Sequence, residues 1–503
     1  MKTTLPTSLF WCIPMFALVT FNSCKKNDSG SPTPPIVTPP PPPPPPAPGV
    51  FDINSITDSY ESIAPFPNYP KWSVYNVHDP AIKKFDDYYY CYSTDVGYGL
   101  NSATLRPGIQ VRKSKDLVEW TFVGWVFNGL PDLGSAFIRQ AGGTPLNSLW
   151  APYVLKVGTE YRLYYSLASS VFKLSVIGLA TATSPEGPWT EKGVVVSSRN
   201  DATPQTNAID PSVIVTPAGE HWMYYGSAFD GIHAFKLNPA TGLALTNGDQ
   251  GNRIAQRGFT GSTINGNIEG PEIIYNSTQN KYYLFIAYDW LETKYNVRVG
   301  RGDNPQGPFY DYNNIDINTV QDHGPMILAP YQFQGHSGWQ GTAHCAVFAD
   351  EAGQYYMAHQ ARPGASKYSM DLHVRKIFWT QNGWPVVSPE RYAWEDNSPV
   401  SKDSIAGQWE KIKLNYNVVP GYEREQLFPD FQVSLNTTLD AGGTINTNGG
   451  SWTYTAPWLQ LNLSNGSTEK VFVQKGRDWE NKKPTFIFTG LNELGTAVWG
   501  KKK

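Results

Sequence analysis

Five times along the chain a short apolar segment is followed by a tight polar turn and then by a strand-length run rich in tyrosine. The runs are Tyr88-Tyr89-Tyr90, Tyr161 with Tyr164-Tyr165, Trp222 with Tyr224-Tyr225, Tyr282-Tyr283, and Tyr355-Tyr356. The leading apolar segment reads as Ala151 to Val157 or Pro211 to Val215, and the turns are pairs such as Asp86-Asp87, Gly158-Thr159 and Gln279-Asn280. A third strand-like segment follows in each unit: Ile109 to Arg112, Val176 to Ala180, Ile232 to Phe235, Val297 to Gly300, and Leu372 to Arg375. A fourth, weaker one goes with a Pro/Gly turn, as at Ser184 to Trp189 and Asn304 to Phe309. Four short antiparallel strands, repeated, are the sequence form of a β-propeller blade. The pattern predicts an all-β protein with five blades over roughly Asp79 to Val400. A pair of stacked sandwiches would supply similar strands without the five-fold phase.

Each unit opens on one residue ahead of its first strand: Asp79, Trp150, Asp210, Glu269 and His344, spaced 71, 60, 59 and 75 residues apart. In a propeller the first strand of every blade lines the central channel, so the five openers converge on one funnel. Three of them are carboxylates. Aspartate before proline is a common turn residue, and for any one opener that explanation would suffice. It does not explain three acids at equivalent positions of three repeats. Carboxylates gathered in one desolvated funnel repel unless one keeps its proton. That is the provision needed to cleave a glycosidic bond: an acid for the leaving oxygen and an ionised base for water. Glu272 is a rival acid, but strand alternation predicts that it faces away from Glu269.

Beyond about Ile405 the repeat stops. Strand-like runs at Phe431 to Leu435, Leu459 to Leu463, Lys470 to Val473 and Thr485 to Phe488 predict a separate small β-barrel-like module. Its role is open between sugar binding, shaping one rim of the cleft, and plain stabilisation. Met1 to Cys24 reads as a secretory leader: Lys2, an apolar run from Leu9 to Phe21, then Asn22-Ser23-Cys24. The apolar run is too short for a comfortable membrane span. From Ser29 to Gly49 the chain is nearly all Pro, Ser, Thr and Gly, a polyproline II spacer. The predicted organisation is a leader over 1–24, a tether over 25–50, a propeller over 51–404 and a C-terminal β domain over 405–503.

Composition fits this division. Aromatic residues make up 14% of the chain, with 17 Trp and 29 Tyr, against 17% charged residues. Most of these rings fill a core, although ring faces also stack on sugars, and composition does not separate the two uses. A formal net charge of −3 gives no basic footprint for nucleic acid. After the leader only Cys91 and Cys345 remain, open between a disulfide and two buried thiols.

The stretch from about Asn76 to Pro389 resembles glycoside hydrolase family 43, and within it the endo-1,5-α-L-arabinanases. The resemblance rests on Leu149-Trp150-Ala151-Pro152-Tyr153, Leu163 to Ser166, Ile177 to Thr181, Asn207 to Pro211, Gly226-Ser227, Tyr295 to Gly300 and Gly307-Pro308, in that order. It implies an inverting mechanism with Asp79 as general base, Glu269 as general acid, and Asp210 orienting the acid and tuning its pKa. The implied carboxyl separation is roughly 6.5–9.5 Å. It also implies a calcium ion on the axis near His344, largely held by water because imidazole is an unusual calcium ligand. Trp150 is the expected stacking ring, and Asn207, Ser227 and Arg362 the expected sugar hydrogen-bonders. Asn22-Ser23-Cys24 resembles a relaxed lipobox, which would make Cys24 a lipidation site and the chain a surface-tethered monomer touching the membrane only through its anchor. The alternatives are an exo-acting α-L-arabinofuranosidase or β-xylosidase on the same scaffold, and a non-catalytic glycan-binding lipoprotein. Retaining fructan hydrolases would need an Arg-Asp-Pro element and a Glu-Cys acid, and neither occurs.

Overall fold

The tyrosine runs become the second strands of antiparallel sheets, and their hydroxyls stitch each sheet to the next. Tyr92 donates to the Pro185 carbonyl at 2.5 Å, Tyr164 to Gly242 at 2.9 Å, Tyr224 to Pro305, and Tyr283 to Gly383 at 2.5 Å. Every acceptor lies near the third-to-fourth-strand turn of the following unit. Tyr92, Tyr164 and Tyr224 are fully buried, and so is the ring of Tyr283. A phenol therefore suits this position twice over, as a large apolar wedge between sheets and as a donor for a carbonyl that would otherwise be orphaned.

The computed structural model describes residues 51–503 except 97–104, 202, 204, 258, 261–262, 265, 320, 322–323, 416–425 and 447–448. The leader, Cys24 and the proline-rich tether lie outside the described residues. Four sheets have four strands each, paired in chain order. Ala81–Phe85, Tyr88–Ser93, Gln110–Ser114 and Thr121–Trp125 make the first. Trp150–Val157, Glu160–Ala168, Ser175–Ala182 and Thr190–Ser198 make the second. The third runs Ser212–Val215, His221–Tyr225, Ile232–Leu237 and Asn252–Ala255. The fourth runs Ile268–Asn276, Lys281–Tyr288, Asn296–Gly302 and Met326–Leu328. Strands Cys345–Ala349, Tyr355–Pro363, Asp371–Trp379 and Pro385–Val387 repeat this order inside a larger sheet, which Trp339–Gln340 extends by pairing with Tyr355–Pro363. The architecture is an all-β propeller followed by a C-terminal β sheet.

Ser184 to Trp189 and Asn304 to Phe309 are turns, as the sequence predicts, and the fourth strands follow them at Thr190–Ser198 and Met326–Leu328. A helix, Asp132–Gln140, sits between the first two sheets, where no helical signal was read. It is pinned by the Leu133 and Gly134 N–H groups donating to the Glu191 carboxylate, the latter at 2.9 Å. Cys91 and Cys345 are both buried free thiols, which closes the disulfide question.

The C-terminal strands form one seven-stranded antiparallel sheet. Its edge strands, Leu435–Leu439 and Gly450–Thr455, meet through the bridges Leu439↔Ile445 and Thr444↔Ser451, which gives the module its barrel-like closure. Trp409, Leu461, Val471 and Phe488 make its own core. Ile412, Leu491 and Trp499 join the propeller core with Trp339, Trp384 and Val387, so the module is docked along the last sheet.

Candidate active site

At the head of each first strand the backbone turns into the left-handed region: Asp79 (φ 49°), Asp210 (φ 60°) and His344 (φ 50°) at the openers themselves. In the other two units the next residue does so, Ala151 (φ 32°) after Trp150 and Gly270 (φ 59°) after Glu269. The same two strands carry a register shift, between Trp150 and Tyr153 and between Glu269 and Glu272. Non-glycine residues with positive φ are uncommon and cost energy, and they collect where structure serves a site. Here the kink brings one side chain per unit over the mouth of the channel. At Gly270 the requirement is also steric, because a Cβ would stand 3.0 Å from His344 Nδ1.

Asp79 is 7% exposed. Its Oδ2 accepts from Thr94 Oγ1 at 2.6 Å and meets His78 Nδ1 at 2.7 Å, while Oδ1 meets His344 Nδ1 at 3.0 Å. Its own N–H donates to Gln360 Oε1 at 3.0 Å. Burial raises the Asp79 pKa, but the charges and hydrogen bonds of His344 and His78 outweigh it and hold the carboxyl well below the usual range. His344 shows the converse: burial depresses it, Asp79 and Asp210 lift it, and the outcome is about 9.

Asp210 donates its N–H to Ser166 Oγ at 3.0 Å and accepts from the Gly270 N–H at 3.1 Å. Burial pushes its carboxyl well above the usual range; His344 opposes this, while Glu269 and Asp79 add to it. Glu269 accepts from Tyr295 OH at 2.6 Å through Oε1 and from Ser227 Oγ at 2.8 Å through Oε2. Asp210 and Glu269 are two acids beside a third, ionised one. Burial beside Glu269 and Asp79 pushes Asp210 toward its neutral form.

Trp150 is half-buried beside this cluster and donates Nε1–H to Ser148 Oγ at 3.0 Å. Asn207 bridges Ser227 backbone to backbone, and Ser227 bridges Glu269 in the same way, so both expected sugar contacts lie beside the acid. Arg362 is buried, donates to the Lys367 carbonyl at 2.5 Å and leaves Nε without a hydrogen-bond partner, with Glu292, Asp79 and Tyr295 among the groups whose charge it senses.

The expectation for Glu272 fails on the bulge. With Gly270-Pro271 absorbing an extra residue, Glu272 also turns inward, one tier below the catalytic layer. It accepts from Ser212 Oγ at 2.9 Å and from the Val347 N–H at 3.2 Å, with Lys83 Nζ at 3.8 Å. Lys83 lies 4.8 Å from the Tyr153 ring. A cavity of about 440 Å³ is bordered by Lys83, Tyr153 and Thr216.

Sequence reasoning missed His78, Thr94, Tyr295 and Gln360, the groups that hold the acids. His78 adjoins Asp79, Tyr295 opens a motif already singled out, and Gln360 lies two residues before Arg362. Thr94 had no signal, since its link to Asp79 spans two strands, and its Oγ1 also accepts the Ala151 N–H at 2.7 Å.

The residues present do not make a protein cage for calcium. At the axis His344 has Nδ1 committed to Asp79, and no cluster of three ligand side chains forms around it among the described residues. Among the described residues the one group of acids close enough to share an ion is Glu390, Asp478 and Glu480, and the Lys501 ammonium already sits among them.

Three carboxylates gathered at the mouth of a propeller, one of them paired with two histidines, are the groups that a glycoside hydrolase needs. The family model for glycosyl hydrolases family 43 matches residues 73–385, and the chain belongs to that family. A model described as a C-terminal lipocalin-like domain matches 389–500. The chain is similar to an extracellular endo-alpha-(1→5)-L-arabinanase of Thermotoga petrophila, 27% identical over 474 residues, covering 86% of this chain and 94% of that one. It is also similar to an extracellular exo-alpha-(1→5)-L-arabinofuranosidase of Cellvibrio japonicus, 28% identical over 332 residues, covering 62% and 86%. The crystal structure of an endo-1,5-alpha-L-arabinanase from Thermotoga petrophila RKU-1 superposes with a TM-score of 0.72 at 26% identity, over 85% of this chain and 98% of that one.

Proposed function

We propose that this chain hydrolyses α-1,5-L-arabinofuranosidic bonds within arabinan, by single displacement with inversion. Asp79, ionised, holds the attacking water and takes its proton as the C–O bond breaks. Glu269 gives a proton to the departing sugar oxygen as general acid, and Asp210 orients Glu269 and tunes its pKa. His344 balances the Asp79 charge. The observation that carries this reading is the opposed setting of the two sides: two histidine contacts on Asp79, and neighbouring carboxylates around Asp210. Trp150, Asn207 and Ser227 border the same acids and form the sugar-facing wall.

Cleavage inside the polymer is favoured by extent of likeness. The endo-acting relative matches across both regions of the chain, whereas the exo-acting one matches over a span of propeller length. The reading includes five blades, the fifth being Cys345 to Val387, with domain borders at 51–404 and 405–503. It includes export through the leader ending at Cys24, lipid attachment there, and a monomeric enzyme held off a surface by the proline-rich tether. A calcium ion belongs to it only as a water-carried ion at His344, and no step of the reaction runs through it.

The test is the product profile on linear arabinan. Mixed oligosaccharides support the reading, arabinose alone moves the assignment to exo action, and an inert wild type favours a glycan-binding role.

A further inference from the structure

A segment of the C-terminal region, Gln426 to Val433, is attached to the turn at Thr293 and Lys294 and carries two exposed apolar side chains. Leu427 is 62% exposed and Phe428 is 72% exposed. Singly exposed apolar residues are ordinary on protein surfaces. An adjacent pair is less so when the backbone on one side of it is firmly held, as here. The Gln426 carbonyl accepts from Thr293 Oγ1 at 2.5 Å, and Asp430 pairs with Lys294. The Phe431 ring lies so close to two backbone turns that a Cβ on Gly338 or Gly364 would stand 3.0 or 3.1 Å from it. Gln432–Val433 then pairs in parallel with Tyr331–Gln332, and Ser434 Oγ donates to Glu410 Oε2 at 2.7 Å.

The place of attachment matters. Thr293 and Lys294 belong to the same turn as Tyr295, whose hydroxyl holds Glu269. Two residues of chain span at most about 7 Å, so the path from Glu269 through Tyr295, Thr293 and Gln426 to Phe428 covers only a few sugar lengths. The segment comes from the C-terminal region, yet it is anchored on the turn that carries Tyr295.

We infer that Leu427 and Phe428 form a platform on which the arabinan chain rests beyond the scissile bond, delivered to the cleft by the C-terminal module. This rests on the arabinan reading above. A furanose ring offers a C–H face that an exposed phenyl ring and an isobutyl group can cover. A polymer reaching past the reacting bond is the one occupant whose position the acids dictate. The platform acts on long substrates and leaves the chemistry of the bond to the axial carboxylates.

The experiment compares Phe428→Ala and the double variant Leu427→Ala/Phe428→Ala with wild type on linear arabinan and on arabinotriose, with thermal unfolding and sedimentation recorded alongside. The expected result is a fall of about tenfold in kcat/KM on the polymer, carried by KM, with arabinotriose turnover, melting temperature and mass unchanged. Equal losses on both substrates, no loss on either, or a change of oligomeric state would overturn the platform. If wild type cleaves neither substrate, the arabinan reading fails first, and the comparison separates the two failures.

Discussion

The Tyr295 hydroxyl stands 2.6 Å from Glu269 Oε1, and its ring is buried between the fourth sheet and the catalytic face. It donates to the residue proposed above as general acid, and so restrains that carboxyl's rotamer. Tyr295→Phe keeps the ring and removes the donor. The expected outcome is a loss of about ten- to a hundredfold in kcat with little change in KM, since about 1.5–3 kcal/mol rides on a hydrogen bond to a charged group. A fold-neutral variant with wild-type kcat would remove Tyr295 from the site.

The two inward glutamates of the fourth unit separate by function. Glu269→Gln and Asp79→Asn should each lower kcat by about 10²–10⁴-fold, the usual reach of general acid–base groups. Glu272→Gln should leave kcat within about threefold of wild type, because the amide can still meet Ser212 and Val347 in the lower tier. Activity of all three variants on a single soluble arabino-oligosaccharide decides it; an inactive Glu272→Gln that still folds would exchange the roles.

Stability should show a buried histidine. His359 donates Nδ1–H to the Gln360 carbonyl at 2.7 Å and accepts from Arg375 Nε at 2.9 Å through Nε2, which requires a neutral ring. Burial and the Arg375 charge hold its pKa well below the ordinary value. The unfolded ring takes up a proton near pH 6.5 that the folded one refuses, so the folded state loses stability as the pH falls. His359→Gln keeps an acceptor for Arg375 without that penalty. Below about pH 6.5 the advantage of wild type over the variant should shrink by about 1.4 kcal/mol per pH unit. Denaturant melts at several pH values measure it, and a pH-independent difference would mean that the ring is charged in the fold.

The inter-sheet tyrosines can be probed one by one. Tyr164→Phe should cost about 1–2 kcal/mol, since it leaves the Gly242 carbonyl without its donor, and kcat should not move. Chemical denaturation with an activity assay on the same samples checks both halves.

Much of this molecule is written in its sequence. Strand period, turn chemistry and the tyrosine repeat specify the propeller because a blade is a local unit, four strands joined by short connections. The openers are legible for the same reason: a fixed place in a repeat is a fixed place in space. Family likeness added the role of each acid, which the repeat alone does not contain. Legibility ended where geometry depends on a bulge or on another blade. Period-two alternation turned Glu272 outward, and one extra residue at Gly270-Pro271 turned it back in.

The sequence by itself therefore determined that three acids, a tryptophan and a histidine meet at one axis, because hydrophobic period and turn residues act over a few neighbouring positions. Only the tertiary structure decided their protonation and their company. Asp79 is held well below the usual carboxylate range because His344 reaches it from the fifth unit to join its neighbour His78, and Asp210 is pushed toward its neutral form because it is buried beside Glu269 and Asp79. The covered and uncovered faces of the C-terminal module, down to the bare side chains of Leu427 and Phe428, were settled the same way. Electrostatic coupling and packing act through space between segments hundreds of residues apart, and no local pattern carries that distance.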